Sequence, residues 1–274
     1  MKMSFRGLGK FVAAAVLLSA GAFVSVAYAT HSWGSYHWAR TANPFTLKLG
    51  DNVSTVWDKY LVTSSLDWSV SAELDTAVVA GMANPKTCRA VTGRVEVCNS
   101  KYGNNGWLGI ASIWVSGSHI TKATTKLNDT YFNTAKYNTP AWRQFVMCQE
   151  IGHTFGLDHQ DEIFNNLNMG TCMDYTSDPD GTIAGQPDNQ HPNVHDYEQL
   201  SLIYAHLDTV TTIASSLSGG SFGAAASEES TDEDTDNHSD WGQAKRHDQK
   251  GRASMYEKDL GNGKKLFTFV VWAN

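Results

Sequence analysis

The sequence predicts an α+β fold, on three observations. Segments rich in β-formers, Ala72–Val79, Arg94–Cys98, Gly109–Ser116 and His119–Leu127, follow one another with turn residues between them, including Gly103-Asn104-Asn105-Gly106. A long helix then opens at Thr139-Pro140, an N-cap followed by proline at the first helical position. A further helix opens at Asn193 and carries an apolar stripe of Tyr197, Leu200, Ile203, Tyr204 and Leu207.

The remaining elements follow in chain order. Lys2, Arg6 and Lys10, the apolar run from Phe11 to Val26 and the small-x-small string Ala27-Tyr28-Ala29 read as a secretory signal cleaved after about Ala29, residues 1–29. The run is short for a membrane span, so secretion without a membrane anchor is expected. Trp38 to Leu49 reads as a first strand, with Phe45, Leu47 and Leu49 alternating. Asn52 or Ser54 can cap a helix to about Ser64, with Val53, Val56, Trp57, Tyr60 and Leu61 on one face. The helix from Thr139 runs through Trp142, Phe145 and Gln149 to Phe155. Asp161–Asn168 and Asp178–Pro192 read as loops, and Val194–Leu207 as the last helix. Residues 209–240 combine a Ser/Ala/Gly/Thr-rich stretch with an acidic one and read as a solvated linker. The extension 241–274 contains a hairpin, Ala253–Lys258 and Lys265–Trp272, joined through Gly261-Asn262-Gly263. A lone hairpin is marginal in water, so it is expected to dock on the remainder of the protein.

Charge narrows the partners. The formal net charge is -7, and losing the three cations of the leader makes it more negative still. An acidic exported chain is a poor match for nucleic acid or anionic membrane. Four cysteines, Cys88, Cys98, Cys148 and Cys172, suggest two disulfides, and three pairings are open. Nearness in sequence favours Cys88–Cys98. No C-x-x-C occurs, which argues against a thiolate zinc site.

The chemistry is concentrated in Cys148-Gln149-Glu150-Ile151-Gly152-His153-Thr154-Phe155-Gly156-Leu157-Asp158-His159, which reads Q-E-x-x-H-x-x-G-x-x-H. Residues four apart on a helix share a face, so positions 149 and 153 can aim at one ion. Glu150 is rotated by about 100° and suits a base better than a ligand. Gly156 can adopt the left-handed conformation that ends a helix and turns the chain back toward the same point, bringing His159. Gly170-Thr171-Cys172-Met173-Asp174-Tyr175 follows at short distance. Together these strings resemble the metzincin zinc endopeptidases, whose signature is H-E-x-x-H-x-x-G-x-x-H. Gln149 stands where that family has its first histidine. The second string resembles the family's Met-turn, with Met173 at the position beneath the metal and Tyr175 at the substrate-facing position. The resemblance spans about Tyr36 to Asp208 and is closest to matrixin-like and related bacterial secreted members.

The resemblance implies a catalytic domain over 30–208. Its sheet would be twisted, five-stranded and mostly parallel with an antiparallel edge strand, accompanied by an active-site helix, a Met-turn and a C-terminal helix. Gly106–Ala111 resembles the edge that binds substrate backbone by strand addition. It also implies a Cys148–Cys172 disulfide tying the helix to the Met-turn. The implied activity is secreted, zinc-dependent hydrolysis of a protein or peptide substrate. Zn2+ would be held by His153, His159 and Gln149, Glu150 would be general base to a metal-activated water, and Tyr175 would steady the oxyanion. A carboxamide oxygen is a weaker zinc donor than imidazole. Three outcomes are therefore open: Gln149 ligates the metal, His191 or His195 substitutes for it, or the fold persists as a catalytically impaired extracellular binding module. No P-R-C-G-x-P-D string occurs, so latency through a Cys–zinc bond is not expected. The Asp178-Pro179-Asp180-Gly181 loop is a candidate for Ca2+, with an acidic turn as the alternative.

Overall fold

The structure, a computed structural model, describes residues 1, 30–183, 185–214 and 237–274. The expected signal segment and the linker residues 215–236 lie outside the described residues. The elements are β1 (His37–Trp38), β2 (Phe45–Asn52), α1 (Asp58–Trp68), β3 (Leu74–Ala80), β4 (Val95–Ser100), β5 (Trp107–Ser116) and β6 (His119–Asn128). They continue with α2 (Asp129–Phe132), α3 (Pro140–His153), α4 (Val194–Ile203), β7 (Gln243–His247), β8 (Ala253–Gly261) and β9 (Lys264–Trp272). The α+β expectation holds: a mixed sheet is accompanied by few helices, and α1 and α3 pack on it.

The sheet departs from the expected five strands. Its order is β3-β2-β4-β6-β5-β9-β8-β7, with β1 paired to β6 off this path, nine strands among the described residues. The pairings β2·β3, β2·β4 and β4·β6 are parallel, and β5 is antiparallel to β6. The antiparallel strand β5 is not an edge. β9 pairs with it antiparallel from Trp107↔Trp272 to Ser116↔Lys264, and β8 and β7 continue the sheet outward. Alternation explains the docking. Phe267, Phe269 and Val271 join the main core, while Val270 and Trp272 pack with Trp107, Ile110 and Trp241 on the opposite face. A strand apolar on both faces is stable only between covered layers.

Three other expectations shift. The first strand divides into β1 and β2 because the chain between them is bonded to the segment after α4: Asp208 N donates to Arg40 O and Thr212 N to Ala39 O. These contacts also give residues 209–214 a packed course where composition suggests a solvated linker. α1 starts later and ends later than predicted, at Asp58 and Trp68. The Ser54 hydroxyl accepts from Asn99 Nδ2 (3.2 Å) and does not cap, while the buried Trp68 indole donates to Cys148 O (3.2 Å) and holds the last turn on α3. α4 stops at Ile203, leaving Leu207 exposed. Its Asn193 cap forms a capping box with Asp196. Thr139 caps α3 as expected, accepting from Trp142 N.

Disulfides join Cys88 to Cys98 and Cys148 to Cys172. The second closes a span of 24 residues between α3 and the Met173 loop. Replacing Cys148 and Cys172 together by alanine is expected to cost about 3 kcal/mol through the entropy regained by the unfolded chain. Denaturant unfolding measures it, and an unchanged midpoint would show that the bridge constrains nothing.

Candidate metal and catalytic site

The site is assembled by the last turn of α3 and the turn that follows. Gly156 has φ +103°, and a Cβ there would lie 2.6 Å from Tyr36 O, so only glycine fits this reversal. The reversal brings His159 back onto the helix. His153 Nε2 and His159 Nε2 stand 2.9 Å apart, both rings buried. Each ring is oriented from behind. His153 Nδ1 is 2.8 Å from Leu157 O, and His159 Nδ1 is 2.9 Å from Glu162 Oε1. A carbonyl and a carboxylate only accept, so both Nδ1 atoms carry the proton and both Nε2 atoms are bare in the neutral rings. Two bare nitrogens at this spacing repel unless a cation joins them. Burial, followed by the neighbouring His159, holds the His153 imidazolium well below the ordinary histidine range, which disfavours a proton on His153. Burial pushes the Glu162 carboxyl up, but its bond to His159 and the His159 charge outweigh this and leave it below the ordinary value. A divalent metal fits the donor set, with acceptors behind both imidazoles as metal-ligating histidines require.

Gln149 lies one turn before His153 on α3 and is fully buried. Its Nε2 donates to Cys172 O at 2.7 Å, so the amide is oriented by the loop that the disulfide ties down. Its Oε1 is buried without a partner. That orphaned oxygen is the one group at position 149 able to act as a donor to a metal. The proposed substitutes are elsewhere: His191 pairs with Asp67 (2.7 Å) and His195 faces the His31 ring (4.8 Å between centroids).

Glu150 projects toward β5. A Cβ on Gly109 would come within 2.7 Å of Glu150 Oε1, so glycine at 109 leaves room for the carboxyl. Both oxygens are fully buried and neither makes a well-formed hydrogen bond. Burial pushes this carboxyl well above the usual range, and the Val271 and Ala111 amides offset that in part. Met173 lies under α3, where a Cβ on Gly152 would be 2.6 Å from its Sδ. Tyr175 packs against the His159 ring at 4.4 Å between centroids. It does not face an open cleft. It is fully buried, and its hydroxyl donates to Val270 O (2.8 Å) in β9.

The C-terminal hairpin covers the site, a feature that sequence reasoning reached only as an unspecified docking. Phe269 stacks on the His153 ring, 4.1 Å between centroids and 13° between planes. Ser254 Oγ donates to Glu162 Oε1 (2.8 Å), Gln249 N to Glu162 O (3.1 Å), and Arg246 pairs with Asp158 (2.7 Å). The near-continuous apolar run of β9 was the available signal: a strand with two apolar faces needs cover on both. The calcium expectation for the 178–181 loop is not supported. The Asp178 carboxylate accepts from Thr182, Ile183 and Gln186, the pattern of a closed acidic turn.

No protein-family profile matches the chain, and no curated protein sequence matches it. Among solved structures it is similar to high choriolytic enzyme 1, a hatching enzyme zinc-protease from the medaka fish Oryzias latipes. The TM-score is 0.36 at 9% identity, over 63% of this chain and 96% of the other.

Asp174, between Met173 and Tyr175, gives a pH prediction. Burial raises its carboxyl from 3.8 to about 7, against opposing bonds from Met169 N and Asn189. The unfolded chain ionises first, so this group's contribution is complete below about pH 4 and is lost as pH rises to about 7. Asp174→Asn keeps an acceptor for both bonds. The variant is expected to show a flatter stability profile over that range and to exceed wild type at pH 8 in thermal unfolding. Parallel profiles would contradict the assignment.

Proposed function

We propose that this chain is a secreted zinc-dependent endopeptidase whose substrate-binding edge is occupied by its own C-terminal hairpin. The observation that carries the reading is the pair of buried imidazoles, His153 and His159, with both Nδ1 atoms anchored and both Nε2 atoms directed at one point. In this reading His153, His159 and the free Oε1 of Gln149 hold the ion, and Met173 is the methionine of a Met-turn. Zinc, when bound, supplies Lewis acidity that lowers the pKa of a water toward ~7 and polarises the scissile carbonyl. Glu150 takes the proton of the attacking water and delivers it to the leaving amine. Tyr175, released from Val270 O, donates its hydroxyl to the developing oxyanion. The substrate backbone pairs with β5 where β9 now lies. An extended peptide and β9 compete for the same row of backbone groups.

A second reading is supported by the bond from Gln149 Nε2 to Cys172 O and by the complete burial of Glu150 and Tyr175. In it the fold is a catalytically impaired extracellular binding module.

Two sets of variants separate these readings. Glu150→Gln is expected to abolish peptide hydrolysis with zinc retained, whereas His153→Ala and His159→Ala lose zinc as well. Equal zinc loss in all three would make Glu150 a ligand and overturn its role as base. Gln149→His is expected to raise zinc affinity tenfold or more, about 1.4 kcal/mol per factor of ten. An inactive wild type that gains both zinc and casein hydrolysis on this substitution would establish the binding-module reading.

Displacement of the hairpin gives the complementary test. The tether through residues 215–236 holds β9 at high effective concentration. A protease site inserted there and cut should allow β9 to leave on dilution, and hydrolysis is expected to rise well above that of the intact chain. A cut, diluted chain that binds zinc but cleaves no peptide would rule out the peptidase.

A further inference from the structure

A second cluster of metal-type donors lies outside this site. His37 and His119 are register partners in the parallel pair β1·β6, and His206 and Asp208 follow α4. Arg40 joins the two segments: its Nη1 and backbone N contact Asp208 Oδ2 at 3.0 and 3.1 Å. That leaves Asp208 Oδ1 to the imidazoles. His37 Nε2 is 3.3 Å from it, His119 Nε2 3.2 Å and His206 Nε2 3.8 Å, and His206 Nε2 is 3.2 Å from His37 Nε2. His37 Nδ1 lies 2.8 Å from Ser35 O, so it carries the proton and neutral His37 presents a bare Nε2 to a carboxylate oxygen. The two acceptors call for a cation between them, a proton or a metal ion.

The spacing identifies its kind. With ligand bonds of roughly 2.0–2.1 Å, the donors of a tetrahedral zinc site stand about 3.3 Å apart. His37–Asp208 and His37–His206 match that edge, and the three donor atoms lie within 4.8 Å of one another. The carbonyl behind His37 Nδ1 and the guanidinium behind Asp208 Oδ2 orient two of the donors, as outer-shell partners do in metal centres. We propose that His37, His206 and Asp208 form a second zinc site, with His119 outside the donor set and holding Asp208 Oδ1. It is independent of the peptidase reading, since it shares no residue with His153, His159 or Gln149. Such an ion would fasten the segment that carries Trp33 and Trp38, whose indoles donate to His153 O and Thr154 O (3.2 and 2.8 Å), to the chain beyond α4. Metal binding there would add to folding stability, because the unfolded chain has no preformed site.

The test is zinc stoichiometry by elemental mass spectrometry on the full chain, stripped with chelator, reloaded with Zn2+ and desalted. Wild type is expected to hold two equivalents. His206→Ala is expected to lose one, together with the part of the zinc-induced rise in melting temperature that depends on this site. His159→Ala loses the other. The His206 side chain is 55% exposed, so its truncation leaves the core intact, and His119→Ala on β6 gives a second variant expected to weaken the same equivalent. One equivalent that depends on His206 but not on His159 would support this site and remove the first. Zinc content and zinc-induced stabilisation that are the same in wild type and His206→Ala would overturn the proposal and leave the first site standing.

Discussion

The pairing of β9 with β5 is the constraint on which the rest of this structure depends. Without it, β5 would be an open antiparallel edge beside Glu150. With it, that edge is filled, Phe269 seals the His153 ring and Val270 O takes the Tyr175 hydroxyl. The driving force is apolar. Phe269, Val270 and Val271 are almost wholly buried, and each such side chain removed from water contributes on the order of 1.5–3 kcal/mol. A hairpin alone is marginal, so β8 and β9 owe their order to this surface. The bonds from Arg246, Gln249 and Ser254 to the loop after α3 fix the hairpin's position over the site.

The same closure sets the electrostatics. Water is excluded from Glu150, His153 and Tyr175, and burial is the leading cause of the shift at each. A buried carboxyl and a buried phenol both favour the neutral form, and so does a buried imidazole. The polar atoms left without partners, Gln149 Oε1 and both Glu150 oxygens, are the groups that a metal and a substrate would satisfy. Buried orphaned acceptors are costly, and three of them fall on consecutive residues of α3, one turn before His153. In the proposed account the hairpin and the substrate exclude each other, so access and chemistry are coupled through one strand.

Much of this was legible in the sequence, for identifiable reasons. The glycine at 156 is local, and the reversal it permits brings His159 back to His153. Thr139-Pro140 and Asn193 likewise define helix starts through bonds within one turn. The first strand was misjudged because β1 and β2 are separated by tertiary contacts from Arg40 and Ala39 to residues beyond α4, which no period-2 pattern carries. Ser54 failed as a cap because Asn99, distant in sequence, claims its hydroxyl. The burial of Tyr175 could not be read from its own neighbourhood, since its partner lies in β9, 95 residues away. Strand pairing is a long-range choice, and the apolar run of β9 shows that it needs cover without naming the surface that supplies it.

Native-state hydrogen exchange tests the central claim most directly. If β9 is docked on β5 in the intact chain, amides bonded across Trp107–Ser116 and Lys264–Trp272 should exchange with opening free energies close to that of global unfolding, as core strands do. Fast exchange of the β9 amides, with the parallel strands still protected, would contradict the account: β5 would then be an open edge, and the site beneath it exposed.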